Sequence, residues 1–235
     1  MLSFMFAGKD SYLDYGIVIS RRPTLPSPKR RITYINIPGR DSSFRYDDGT
    51  YEDLTINLEC SIKSNSNLTQ KVDEIKDWLF NSGEDDLIFS FQSDKKYIAQ
   101  VVNAIDFAQI LKHSSKFPII FNCRPFKYAV QNNEITILNN NTNINNPGTI
   151  GSLPIIKLYG TGDIILNIRD LQVELKDITG EIILNSEIQD CYDVNITNLN
   201  NKMKGYFPTF KPGQNLVSWS GNVQSITIVP NWRWL

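Results

Sequence analysis

The sequence predicts a mainly β protein with two β-rich halves and a single helix. Three observations predict it: apolar residues alternate with a period of two along most of the chain, only one segment has a helical period, and the composition changes near residue 130. The length of 235 residues fits one large β domain or two modest ones. We therefore expect each half to form a sandwich or barrel, with the helix packed against the first.

The first half contains alternating or β-branched runs with turn residues near their ends, which is the pattern of strands. These runs are Ile32–Ile37, Leu54–Ile62, Tyr97–Asn103 and Phe117–Asn122. We expect them to supply the strands of an N-terminal β-sandwich or barrel.

The segment Leu68–Asn81 is the one with a helical period, because its apolar residues fall on a single stripe. That stripe consists of Leu68, Val72, Ile75, Trp78 and Leu79. Ser66 or Asn67 can cap the start of the helix, and Gly83 can end it. We expect the stripe to pack across one sheet of the first half.

The composition changes after Tyr128, where an Asn-rich segment, Gln131–Asn146, begins. We place the boundary there, which gives domains 1–130 and 131–235. Short β runs then follow every few residues: Glu134–Leu138, Leu153–Tyr159, Asp163–Arg169, Leu171–Leu175, Glu181–Leu184, Val194–Thr197 and Val223–Val229. Turn signals at 160–163, 179–180 and 212–213 are expected to separate strands. This spacing is typical of a sandwich or barrel.

Composition excludes several classes of protein. The net charge of −1 argues against a dedicated nucleic-acid binder, and 41% hydrophobic residues exclude a disordered chain. The N-terminus lacks the basic region and apolar core of a secretory signal, and no apolar run is long enough to span a bilayer, so we expect neither a signal peptide nor a membrane segment. Cys60, Cys123 and Cys191 are widely spaced and are expected to be buried free thiols.

Catalytic motifs are sparse. The one histidine, His113, lies in a polar segment, and the nucleotide-binding and GxSxG motifs are missing. Three carboxylate pairs are close in sequence: Asp47 with Asp48, Asp85 with Asp86, and Asp190 with Asp193. Aspartates in such turn-like contexts usually bond the local backbone, so the enzymatic interpretation is the weaker one. We expect no catalytic residues, no metal and no cofactor.

The segment Arg21–Arg31 carries five basic residues and three prolines without an acid. Prolines favour an extended, stiff conformation. The segment is a solvated loop, an arm held against an acidic neighbouring subunit, or a patch lining a channel for nucleic acid, and the sequence leaves these three open.

Aromatic residues gather late in the chain, where Tyr206, Trp219 and Trp232 either stack on sugar rings or fill the core and subunit contacts.

Several strings in order resemble the distal tail proteins of long-tailed bacteriophages, which also occur in phage-tail-like bacteriocins. In the first half these are FMFAGKDSYLDYGIVI (4–19), IPGRDSSF (37–44), DDGTYEDLTINLEC (47–60), IKDWL (75–79), YIAQVVNAIDF (97–107) and FPIIFNCRPFKY (117–128). In the second half they are GEIILNSEIQDCY (180–192), GYFPTFKPGQNLVSWSG (205–221) and IVPNWRWL (228–235). The resemblance covers essentially the whole chain.

The resemblance implies a structural virion protein, located in the tail and assembled in the host cytoplasm. Copies of it would form a hexameric ring that connects the tail-tube protein to the tail tip or baseplate and its host-attachment apparatus. The N-terminal domain would be tail-tube-like and would form the ring, whose channel admits DNA without sequence-specific binding. The C-terminal domain would be a galectin-like β-sandwich, and a carbohydrate-binding adhesin acting through it is the alternative function.

Two sets of residues are the candidates for contacts. For the ring we predict Arg21, Arg22, Lys29, Arg30, Arg31, Arg40, Lys71, Glu74, Lys76 and Asp77. For sugar contacts under the adhesin alternative we predict Tyr206, Trp219 and Trp232. Open strand edges in the first half would pair with neighbouring copies in a closed ring.

Overall fold

The computed structural model describes the backbone of residues 1–63, 68–105, 108–111 and 114–235, and the side chains of 1–62, 71–105 and 116–235. The chain forms two compact units, Met1–Val130 with Leu235, and Gln131–Trp234. The expected helix caps Ser66 and Asn67, as well as His113, lie outside the described residues. No helix in the described parts of the chain combines the length and apolar character needed to cross a bilayer.

The first unit consists of ten strands and one helix among its described residues. They are β1 (Phe4–Phe6), β2 (Lys9–Asp10), β3 (Ile17–Ile19), β4 (Arg30–Ile35), β5 (Phe44–Tyr51), β6 (Leu54–Lys63), α1 (Leu68–Asn81), β7 (Asp85–Phe89), β8 (Gln92–Val101), β9 (Ala108–Leu111) and β10 (Ser114–Ala129). The main sheet has the order β2-β1-β7-β8-β10-β6-β3, with β9 beside β10, while β4 and β5 pair only with each other.

Strict alternation along β6 and β10 explains the core of this unit. The two strands are antiparallel, from Ser114 opposite Lys63 to Cys123 opposite Leu54. Successive side chains of a strand point to opposite faces, so alternate apolar residues share the inner face. These are Leu54, Ile56, Leu58, Cys60 and Ile62 on β6, and Phe117, Ile119, Phe121 and Cys123 on β10, all of them buried.

The two ends of the main sheet meet, so that the sheet curls into a barrel. The Ile19 amide of β3 donates to the Leu2 carbonyl at 2.9 Å, and the Ile17 amide donates to the Ser11 carbonyl at 2.7 Å. The buried Ser11 hydroxyl adds two further bonds: it accepts from the Phe4 amide at 3.0 Å and donates to the Ile17 carbonyl at 3.2 Å. Ser11 thereby joins β1 to β3 where neither strand reaches the other.

The helix α1 has the bounds predicted from its apolar period, and Gly83 follows it with a φ of +66°. Ile75, Trp78 and Leu79 are buried against the barrel. The Trp78 indole stacks on the Tyr15 ring at 4.4 Å between centroids, and its Nε1–H donates to the Phe6 carbonyl at 3.0 Å. One indole thus fixes the helix to the barrel by packing and by a hydrogen bond.

The second unit is built on one curled sheet. Its elements are β11 (Ile135–Ile137), β12 (Thr142–Asn146), β13 (Ile155–Ile168), β14 (Leu171–Asn185), β15 (Asp190–Tyr192), a 3₁₀ turn (Asn200–Lys202), β16 (Met203–Gly205), β17 (Gly213–Val229) and β18 (Arg233–Trp234). The order is β11-β17-β13-β14-β15, with β12 on β17 and β16 on β14. Apolar side chains from β13, β14 and β17 form its separate core.

Two features of this unit differ from the sequence expectation. The turn signals at 160–163 and 179–180 lie inside long strands, and β13 and β14 are each one strand with a register shift between Gly162 and Ile164. The predicted strand Val194–Thr197 was wrong. The Asp193 carboxylate accepts from the Asn195 and Thr197 amides at 2.8 Å, and these bonds hold the segment as a turn.

Candidate assembly and binding surfaces

The hairpin β4–β5 is the most exposed element of the first unit. Every residue of β4 and β5 is exposed or half-buried, so the hairpin has no core of its own. The two-stranded sheet it forms is joined to no other strand in the described parts of the chain. An isolated two-stranded hairpin is at best marginally stable in water, so any surface that covers this one would stabilise it.

One face of the hairpin is apolar. Thr33 lies opposite Tyr46 and Ile35 lies opposite Phe44, and directly opposed residues share a face. The exposed fractions of Ile35, Phe44 and Tyr46 are 48%, 47% and 58%. We call Thr33, Ile35, Phe44 and Tyr46 the apolar hairpin face. None of these four residues is among the predicted ring contacts; the alternating runs on either side of the IPGR turn are the sequence signal from which the face could be predicted.

The charged side chains on the other face and at the base of the hairpin have partners within the hairpin. Arg45 lies over the Tyr34 ring, 5.8 Å from its centroid. At the base, Arg30 Nε lies 2.7 Å from Asp47 Oδ2, and both side chains are partly exposed. The Gly49 amide and then the Arg30 guanidinium hold the pKa of the Asp47 carboxyl below its usual value of 3.8.

The basic segment therefore divides into two parts. Arg30 and Arg31 begin β4, and Lys29 pairs with Glu52 at 3.4 Å just beyond β5. Arg21 and Arg22 lie instead in the irregular stretch before the hairpin, where they line a groove of about 390 Å³ beside the outward-facing Thr55, Asn57 and Glu59 of β6.

Within that stretch, Arg22 stacks on Phe91 at 4.3 Å from the ring centroid. Two of the five cations of Arg21–Arg31, Lys29 and Arg30, pair with acids of the same chain. Their charges are therefore less available to a neighbouring subunit than the sequence alone suggested.

The remaining ring candidates lie apart from these. Arg40 is exposed at the turn between β4 and β5, and its amide donates to the Ile37 carbonyl at 3.1 Å. Glu74, Lys76 and Asp77 are exposed on α1, Lys71 is half-buried there, and Asp77 accepts from the Asn81 side chain at 2.6 Å. The structure thus distributes the predicted residues over four places rather than one patch: the groove, the base of the hairpin, its turn, and α1.

The three sugar candidates also separate. Trp219 and Trp232 are half-buried and pack against the core of the second unit, and Trp232 contacts Phe210 at 5.9 Å between ring centroids. Tyr206 has an exposed fraction of 83%. Of the three, only Tyr206 is exposed rather than half-buried.

The carboxylate pairs form local bonds. Asp48 accepts from the amide and the hydroxyl of Thr50, Asp86 pairs with Lys96 at 2.7 Å, and Asp190 accepts from the side chains of Asn198 and Asn200. Asp193 holds the turn described above. Among the described residues, no group of three or more His, Cys, Asp or Glu side chains could hold a metal ion.

Comparisons with known proteins agree with the predicted resemblance. Residues 11–123 match the family model of the phage tail protein RIFT-related domain. The fold is similar to the crystal structure of the SPP1 Dit (gp 19.1) protein, described as a paradigm of the hub adsorption apparatus in Gram-positive infecting phages, with a TM-score of 0.77, 14% identity and full coverage of both chains. No curated protein sequence matches the chain. The two matches confirm the resemblance and support a structural role in a phage tail.

Proposed function

We propose, from the match of residues 11–123 to the family model of the phage tail protein RIFT-related domain, that the chain is a non-enzymatic structural protein that forms a hexameric ring at the distal end of a tail. The ring would connect the tail-tube protein to the tail tip or baseplate and the host-attachment apparatus. DNA would pass through its channel without sequence-specific contacts.

The observation that carries this proposal is the apolar hairpin face. Large apolar side chains clustered on an exposed surface mark protein–protein contacts. Here three of them lie on a sheet of two strands, which also leaves backbone groups on both outer edges for pairing with another chain. A neighbouring copy that covers this face would bury the apolar side chains and stabilise the hairpin in one step, and rotational repetition of that contact would close a ring.

The experiment is a mass measurement by light scattering over a series of protein concentrations, with negative-stain imaging. We expect the wild-type mass to rise toward six subunits and ring-shaped particles to appear. The variant Phe44→Lys/Tyr46→Lys should move assembly to higher concentration, because burial of a lysine ammonium at the contact is costly.

The matched control is Tyr12→Lys/Leu13→Lys, which places the same two charges on other exposed apolar residues of the first unit, with exposed fractions of 44% and 79%. It should assemble like the wild type. Wild-type monomers at every concentration would contradict the ring. An equal loss of assembly in the variant and the control would contradict the role of the hairpin face.

A further inference from the structure

The second unit has a pocket of about 220 Å³ at the end of the sheet where β13 turns into β14. Its polar lining consists of Arg169, Asp170, Gln172, Tyr206, Thr209 and Lys211. The pocket is smaller than the roughly 300–1,000 Å³ sites of drug-sized ligands, so it suits a single small ring. The ring proposed above does not use it, and Tyr206 is the one residue of its lining that the sequence selected for sugar contacts.

The frame of the pocket is fixed by backbone and buried contacts. Arg169 and Asp170 form the two-residue turn between the paired Ile168 and Leu171, and the Arg169 amide donates to the Leu216 carbonyl at 2.9 Å. On the other side, the Lys211 amide donates to the side chain of the buried Asn215 at 3.0 Å. Lys211 Nζ then spans the pocket wall to both carboxylate oxygens of Asp170, at 2.9 and 3.2 Å.

The position of Tyr206 depends on the glycine before it. Gly205 pairs with Val173 and has a φ of +119°, and a Cβ at this position would lie 2.7 Å from the Gln172 carbonyl oxygen. Only glycine allows so close an approach in that conformation. The chain therefore leaves β16 directly beside Gln172, and the Tyr206 ring stands at the rim of the pocket.

Several polar groups around the pocket have unused hydrogen-bonding capacity. Within the described part of the chain, no residue forms a hydrogen bond or ion pair with the side chains of Arg169, Gln172, Tyr206 or Thr209. Guanidinium donates, the Asp170 carboxylate accepts, and amide and hydroxyl groups do both. A ligand with many hydroxyls, each a donor and an acceptor, matches such a mixed set.

We propose that this pocket binds one pyranose ring of a saccharide, with the apolar C–H face of the sugar on the Tyr206 ring and its hydroxyls on Asp170, Gln172 and Arg169. The negative face of an aromatic ring favours the weakly positive C–H groups of a sugar. Arg169 and Lys211 would attract a phosphate group, but it only accepts hydrogen bonds and would lie beside the Asp170 carboxylate, so it uses less of this mixed set of donors and acceptors than a sugar does. The site is independent of the ring contact, which lies in the first unit.

The test is saturation-transfer NMR on the full chain with methyl glucopyranosides, methyl galactopyranosides and N-acetylglucosamine, and with glycerol 1-phosphate as the anionic probe. We expect at least one pyranose to bind with a Kd of about 1–50 mM, the range of a single shallow subsite. The strongest transfer should go to protons on one apolar face of that sugar.

Tyr206→Ala should weaken binding about 3- to 10-fold, the loss expected for one aromatic contact. Tyr159→Ala is the matched control, because Tyr159 is an exposed tyrosine on β13 of the same unit, with an exposed fraction of 46%, and does not line the pocket. Asp170→Asn is a second variant, which keeps the shape of the side chain but removes its charge and should also weaken binding.

Three results would overturn the proposal. One is the absence of binding by every pyranose below about 50 mM. Another is equal affinity in Tyr206→Ala and Tyr159→Ala. The third is tighter binding of glycerol 1-phosphate than of any pyranose, which would make the pocket an anion site.

Discussion

Replacement of Ser11 by alanine should destabilise the first unit far more than its small size suggests. The Ser11 hydroxyl is fully buried and links the Phe4 amide to the Ile17 carbonyl at the point where the barrel closes. Loss of both bonds leaves a buried donor without its acceptor, which costs about 1–3 kcal/mol. With a urea m-value of about 2 kcal/mol/M, the unfolding midpoint should fall by about 1 M.

The three cysteines allow this to be measured for each unit separately. Cys60 and Cys123 lie in the core of the first unit and Cys191 in that of the second, and burial raises the pKa of each thiol to about 12. At pH 8 the folded chain should therefore resist alkylation, whereas unfolded thiols, with a pKa of about 8.5, react. Pulsed alkylation across a urea series, read by peptide mass spectrometry, reports one midpoint per cysteine.

In Ser11→Ala the midpoints of Cys60 and Cys123 should fall while that of Cys191 stays. Ser20→Ala, on an exposed serine at the end of β3, is the matched control and should leave all three unchanged. All samples need one protein concentration, because assembly shifts apparent stability. Wild-type midpoints for Cys60 and Cys123 in Ser11→Ala would refute the argument that this hydroxyl closes the barrel.

Three further predictions follow from contacts in the first unit. Trp78→Phe should lower the Cys60 and Cys123 midpoints, since it removes the bond to the Phe6 carbonyl, at a cost of about 1–3 kcal/mol, and Trp78→Ala should cost about 3–5 kcal/mol. The pKa of Asp47 is lowered in the folded state, so its contribution to the stability of the hairpin is present above the ordinary value of 3.8 and is lost as pH falls through the lower folded value. The protection of the β4 and β5 amides against exchange, relative to the intrinsic rate at the same pH, should therefore fall there. Asp47→Asn should show the same low protection at neutral pH. Arg30→Glu should likewise speed exchange in the hairpin because it breaks the pair with Asp47, whereas Arg40→Glu, on an exposed side chain at the turn, should leave exchange in the two strands unchanged.

The helix shows what periodicity alone can determine. The bounds of α1 followed from a 3.6-residue apolar repeat ended by a glycine, and both signals are local. The long strands of the second unit are harder to predict from sequence, because the glycines at 160, 162 and 180 resemble turn residues. In the structure they allow close approach and bending inside continuous strands, and that depends on neighbouring strands far away in sequence.

The candidate contacts show the corresponding limit for function. The sequence identified the cluster of cations in Arg21–Arg31, but the acids that bind Lys29 and Arg30 are contributed by β5 and the residue after it. Only the register of the hairpin brings them together. The same register places Ile35 and Phe44 on one face. Strand pairing therefore weakens the hypothesis that the basic segment forms the ring contact, and it forms the apolar hairpin face.

The salt dependence of assembly distinguishes the two candidates for the ring contact, the basic segment and the apolar hairpin face. If the basic segment held the subunits together through exposed charges, screening would dissociate the ring, since the Debye length falls from about 10 Å at 0.1 M to about 3 Å at 1 M. Burial of Ile35, Phe44 and Tyr46 has no such dependence, and exclusion of a kosmotropic salt strengthens it. Because Arg30 and Lys29 are already paired within their own chain, we expect the mass of the assembled wild type to be unchanged between 0.1 M and 1 M NaCl, and Phe44→Lys/Tyr46→Lys to remain the defective variant at both. Dissociation of wild-type rings at high salt, measured by light scattering, would return the contact to the charged segment.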